Sequence, residues 1–157
     1  MDNENLKNMD DSAVKMVMEQ KDQGNLIASF LLCSTFIEHY CKTKLFIDII
    51  ERRPVELIKI KDKNTQEWRK VFITNKLEKI IWEEFTQRQI LDIGLLVGAW
   101  NKELYDQLTK FNSERNKLIH KYQDLLKILE KDEKKVTNTI KLGVSLLPNI
   151  KRGYVEK

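Results

Sequence analysis

Arg115, Asn116 and His120 place a guanidinium, a carboxamide and an imidazole within six residues of one another. They sit in the run Phe111-Asn112-Ser113-Glu114-Arg115-Asn116-Lys117-Leu118-Ile119-His120-Lys121-Tyr122. On a helix turning about 100° per residue, Leu118, Tyr122, Leu125, Leu126 and Leu129 form an apolar stripe, and Arg115 lies on it one turn before Leu118. Asn116 and His120 are four residues apart and share the neighbouring face, with His120 at the border between apolar and polar sides. An imidazole can take or give a proton near neutral pH. A guanidinium can clamp a phosphate through two parallel hydrogen bonds and stabilise charge that grows in a transition state. A carboxamide can orient either group. The chemistry to expect is proton transfer beside a held anion.

Each of these residues also has a plainer reading. A buried, unpaired arginine costs on the order of several kcal/mol, so Arg115 must find an outlet. It can pair with an acid of another helix, for which Glu38 is the best placed; the stripe can open there onto a cleft or a partner chain; or the side chain can reach past the helix start into water. His120 and His39 are the two histidines, and either alone reads equally well as a boundary residue. Tyr122 can fill the core stripe and turn its hydroxyl to the edge. Glu83 and Glu84 do not make a catalytic pair, because adjacent helical positions point about 100° apart. Gly94 and Gly98 read as small residues that admit a neighbouring helix. The chain has no glycine-rich phosphate loop, no nucleophile elbow and no Cys/His set with zinc spacing, so no cofactor and no metal are expected.

Composition and periodicity say which helices carry these groups. Hydrophobic residues are 41% and charged residues 33%, with two prolines and five glycines, which favours long helices over many strands. The expected fold is all-α: an antiparallel bundle of four or five helices in a single domain spanning 1–157, with 1–11 and 149–157 flexible. Ser12 can cap a first helix, and Gly24 can break it. The most apolar helix runs from Asn25 to about Ile50, carries Glu38, and is apolar on enough sides to sit centrally. Glu51-Arg52-Arg53-Pro54 is a stop, and 55–72 has room for a small irregular or hairpin insertion. Thr74 or Asn75 begins a helix through Phe85. Thr86 caps the next, expected to reach about Phe111. Asn112-Ser113 then interrupts and caps a helix from Glu114 to about Lys131, and a last helix from about Glu133 to Leu147 ends at Pro148.

The net charge of +4 permits an anionic partner, and it suits a transient RNA substrate better than a stable grip on DNA. Cys33 and Cys41 are eight residues apart in one expected helix, roughly 12 Å by helical rise, so they do not bridge each other there. Sparse cysteine and a polar, acidic start (Met1-Asp2-Asn3-Glu4-Asn5) point to a cytoplasmic protein without a signal peptide. The longest apolar stretch, Leu26 to Ile37, falls short of the roughly 20 residues that span a bilayer, so no membrane partner is expected.

The run Arg115-Asn116-Lys117-Leu118-Ile119-His120, extended by Tyr122, resembles the motif of HEPN domains: arginine, a polar residue, three more residues, then histidine, on a late bundle helix. The sharp match covers about eight residues, and an early apolar helix carrying Glu38 extends it loosely over much of the chain. The resemblance implies a metal-independent endoribonuclease that forms its site across a homodimer, possessed by toxins and defence components. There a ribose 2′-hydroxyl attacks the adjacent phosphate, Arg115 and Asn116 hold it, and His120 moves the proton, with Glu38 and Tyr122 in support. It also implies that Tyr122 can accept an adenylyl group from a nucleotidyltransferase-type antitoxin. The rival reading is a catalytically inactive HEPN-like helical module that binds a protein or RNA and uses Arg115 for structure.

Overall fold

The computed structural model describes residues 3–49, 75–121 and 125–152, with side chains for 12–49, 75–120 and 132–150. The stop at Glu51-Arg52-Arg53-Pro54, the insertion at 55–72 and Tyr122 lie outside the described residues. Every regular element among the described residues is helical, as an all-α bundle requires. We number the helices α1 (Asn3–Asp22), α2 (Leu26–Ile47), α3 (Gln87–Val97), α4 (Lys102–Lys121) and α5 (Leu125–Arg152), with a wider π turn at Ile80–Glu84 ahead of α3. No helix among the described residues is long and apolar enough to cross a membrane.

Helix α2 is the axle of the bundle. It packs most extensively on α5 and α1 and also meets α3 and the π turn. Its buried residues, among them Phe30, Cys33, Ile37, Cys41 and Leu45, face more than one neighbour, so its apolar positions are not confined to one stripe. Helices α1 and α2 are joined through the bend at Gly24 and pack on each other, and buried Ser29 donates from its hydroxyl to the Val17 carbonyl at 2.8 Å. Near the end of α2, Lys44 and Asp48 form a buried ion pair at 3.2 Å.

Helix α5 presents Val136, Ile140, Gly143, Leu146, Leu147 and Ile150 to the core at three- and four-residue steps. Gly143 is there because a Cβ would press on Cys33 Sγ and come within 2.7 Å of a Phe111 ring carbon. Its bare backbone lets α5 lie close against α2 and α4.

Four local expectations need correction. Helix α1 begins at Asn3, so Ser12 lies inside it and is not its cap. The helix capped by Thr86 does not reach Phe111: it ends at Val97, with Gly98 in the left-handed conformation at φ 73°. Asn112-Ser113 does not interrupt anything, because α4 starts at Lys102 and runs through both. There Asn101 is the cap, accepting from the Leu104 backbone N–H at 2.9 Å. Pro148 does not end the last helix, which continues to Arg152. An interior proline costs roughly 3 kcal/mol, but Leu146, Leu147 and Ile150 around it are all buried, and that packing outweighs the loss. The expected junction near Lys131–Glu133 is present as a kink at Asp132 (φ −139°, ψ 28°) within one continuous run.

Burial pushes the Cys33 and Cys41 thiols up to about 12 from an ordinary 9.0. The folded state therefore holds these protons while the unfolded chain releases them near pH 9. The stability they contribute is complete below that pH and is lost as pH climbs toward 12. At pH 8 a thiol reagent should leave both cysteines unmodified until urea unfolds the chain, and the urea midpoint should fall between pH 8 and pH 10.

Candidate functional site

The site is built on the second half of α4. Leu108, Phe111 and Leu118 are buried on one side of this helix, and at about 100° per residue Arg115 falls in the middle of that same side. Its guanidinium is one-quarter exposed, with Nη2 3.5 Å from Glu38 Oε2. Of the three outlets for this charge, the structure takes the pairing with Glu38. The contact is single and long for a hydrogen bond, so it tethers the guanidinium without using up its donors. Arg115 Nε is buried and has no hydrogen-bond partner among the described residues.

Glu38 is shared. Its other oxygen, Oε1, lies 3.0 Å from Lys42 Nζ, one turn along α2. Lys42 in turn donates to the Trp82 carbonyl at 3.3 Å, and its ammonium lies 5.9 Å from the indole centroid. That carbonyl belongs to the π turn, which closes with Phe85 N–H donating to Ile80 O at 3.0 Å. Exposed His39 places its ring 5.1 Å from that of Trp82, tilted by 45°. One continuous polar and aromatic line therefore runs Arg115, Glu38, Lys42, Trp82, His39.

Asn116 is half-buried and His120 is exposed. They follow each other along the flank of α4, where helical geometry puts His120 about 140° around and about 7.5 Å along from Arg115. The structure thus brings Arg115 and Glu38 together and leaves Asn116 and His120 on the solvent side of the same helix. Within one chain the imidazole is not set against the guanidinium. Beside them Glu114 accepts from Lys117 at 2.8 Å and pairs with Lys135 of α5 at 3.4 Å. The Lys117 hydrogen bond, then Lys135, holds the Glu114 carboxyl below its usual range. This contact fastens α4 to α5 next to the candidate residues.

Sequence reasoning missed a second row. Thr109 Oγ1, Asn112 Oδ1 and Arg115 Nε are buried without a hydrogen-bond partner among the described residues, and they recur every three residues. Asn112, at the expected helix break, is instead buried within α4. The signal available beforehand was Thr109 and Asn112 at helical spacing from Arg115. Leaving a buried polar atom unsatisfied costs about 1–3 kcal/mol, a cost that a ligand group or water reaching it would relieve. Asn112→Leu should therefore raise stability by about 1 kcal/mol, read from urea denaturation. If the row serves a ligand, the same variant should lose activity while it gains stability.

Elsewhere between α3 and α4, Arg88 and Tyr105 both hold Asp92, at 3.1 and 2.7 Å. The Tyr105 hydrogen bond is the main reason the Asp92 carboxyl is held below its usual range. A shallow depression lined by Asn101, Glu103, Leu104, Gln107 and Asn149 lies at the start of α4 and contains none of the candidate residues. Among the described residues no group of three His, Cys, Asp or Glu side chains is arranged to hold a metal ion. Compared with known proteins, the chain matches no family model, no curated relative and no solved structure.

Proposed function

We propose that this chain is a HEPN-type endoribonuclease that cleaves RNA from a composite site at a homodimer interface. The observation that carries the reading is the tethered guanidinium. Glu38 holds Arg115 at the edge of the core with its guanidinium one-quarter exposed, while half-buried Asn116 and exposed His120 follow along the flank of the same helix. A second copy packed against this flank of α4 would gather two such sets around one phosphodiester, supplying an acid and a base. In the reaction the 2′-hydroxyl loses its proton to an imidazole and attacks phosphorus. The 5′-oxygen leaves with a proton from the other imidazole, giving a 2′,3′-cyclic phosphate and a 5′-hydroxyl. Arg115 would hold the non-bridging oxygens as their charge grows. A nucleotidyltransferase-type partner that adenylylates Tyr122 would silence such a site by adding bulk and charge.

The second reading, an inactive helical module that binds a protein or RNA, also has an observation in its favour. A guanidinium already paired with Glu38 has a structural use whether or not it meets a phosphate. The deciding experiment compares wild type with His120→Ala on an RNA and its 2′-deoxy analogue in the presence of a chelator. Cleavage of the RNA alone, lost in the variant, supports the nuclease. Equal cleavage by the variant, or cleavage of the deoxy substrate, refutes it.

A further inference from the structure

We propose that His39 and Trp82 form a stacking subsite for an unpaired nucleobase, so that the RNA recognised by this chain is single-stranded. This rests on the RNA reading of the Arg115 region and adds to it a surface on a different pair of elements. The imidazole of α2 is exposed, and the indole of the π turn is partly exposed beside it, with centroids 5.1 Å apart. A surface imidazole against an indole offers an aromatic face to which any base can stack. The π turn holds that indole in place, and wide turns of this kind recur at functional sites. Lys42 is the link: it fixes the turn through the Trp82 carbonyl and shares Glu38 with Arg115.

Charge sets the direction of the ligand. Glu83 and Glu84 are exposed on the same turn as Trp82 and disfavour a phosphate there. Arg115, whose guanidinium is one-quarter exposed and only singly tethered, favours one at the other end of the line. The base therefore stacks at His39 and Trp82 while its backbone runs toward Arg115. A duplex, whose bases are already stacked on each other, has no base to offer.

The test uses the full chain and an uncleavable 2′-O-methyl oligonucleotide, single-stranded or annealed to its complement, with binding read by fluorescence anisotropy. Trp82→Leu should weaken single-strand binding by about 5- to 100-fold, and His39→Ala by less, with weak duplex binding unchanged in both. The Lys42 bond survives either change because it is made to backbone. Thermal melting checks the fold; if Trp82→Leu unfolds, exposed His39 decides alone. Wild-type affinity in His39→Ala, or equal affinity for duplex and single strand, overturns the subsite. Cleavage that depends on His120 but ignores His39 would remove the subsite and leave the nuclease. Binding that depends on His39 without any cleavage would remove the nuclease and leave the subsite. No binding of either strand form overturns both.

Discussion

Replacing His120 with alanine is expected to slow RNA cleavage by about 10²- to 10⁴-fold, the range a positioned acid or base contributes. The side chain is exposed, so stability should change by no more than about 0.5 kcal/mol. That separation matters, because a folded but inactive variant points to chemistry and not to collapse. Arg115→Lys is the companion measurement. Lysine keeps the charge and can still reach Glu38, but it lacks the planar fork that grips two phosphate oxygens. If Arg115 serves only the ion pair with Glu38, Arg115→Lys should cleave RNA like wild type. If it clamps the phosphate, the rate should fall by about 10²-fold or more with little change in melting.

Gly94→Ala should be the most damaging single-methyl change among the described residues. A Cβ at position 94 would overlap the indole of Trp100, which is buried and donates from Nε1 to the Leu91 carbonyl at 2.9 Å. The ring has nowhere to move without leaving its slot, so the expected loss is near that of deleting it, about 3–5 kcal/mol by urea denaturation. Trp100→Ala should cost a similar amount. The double variant should cost far less than the two together, because once the indole is gone the added methyl fills part of its space. An additive double variant would show that Gly94 and Trp100 are not coupled. Gly94 therefore admits a ring from its own connecting turn, where a neighbouring helix was expected, and Gly98 reverses the chain to bring that ring back.

The same pair of glycines marks where sequence reasoning stopped. Helical class, the central place of α2, the Thr86 cap, the bend at Gly24 and a junction near Lys131–Glu133 could all be read from local pattern. Each is decided by residues within a few positions of one another, through periodicity, capping or backbone freedom. The α3–α4 break could not be read in this way. Leu95, Leu96 and Val97 continue an apolar helical pattern; the helix ends where Gly98 turns left-handed, and that turn lets Trp100 bury itself against Gly94. Pro148 was misjudged for the same reason, since its local cost is real and its neighbours' burial outweighs it.

Helical class was legible in the residue pattern alone, which also singled out Arg115, Asn116 and His120 as candidates. What surrounds them came from the packing of separate helices. It chose Glu38 as the partner of Arg115 across 77 positions, set Lys42 between Glu38 and Trp82, and brought His39 to the indole. The reason is the range of the forces involved. Hydrogen bonds within a helix and the alternation of apolar faces act over one or two turns, so they are written in neighbouring residues. Ion pairs and ring contacts between helices depend on how separate faces are rotated against each other, and the packing of the whole core sets those rotations.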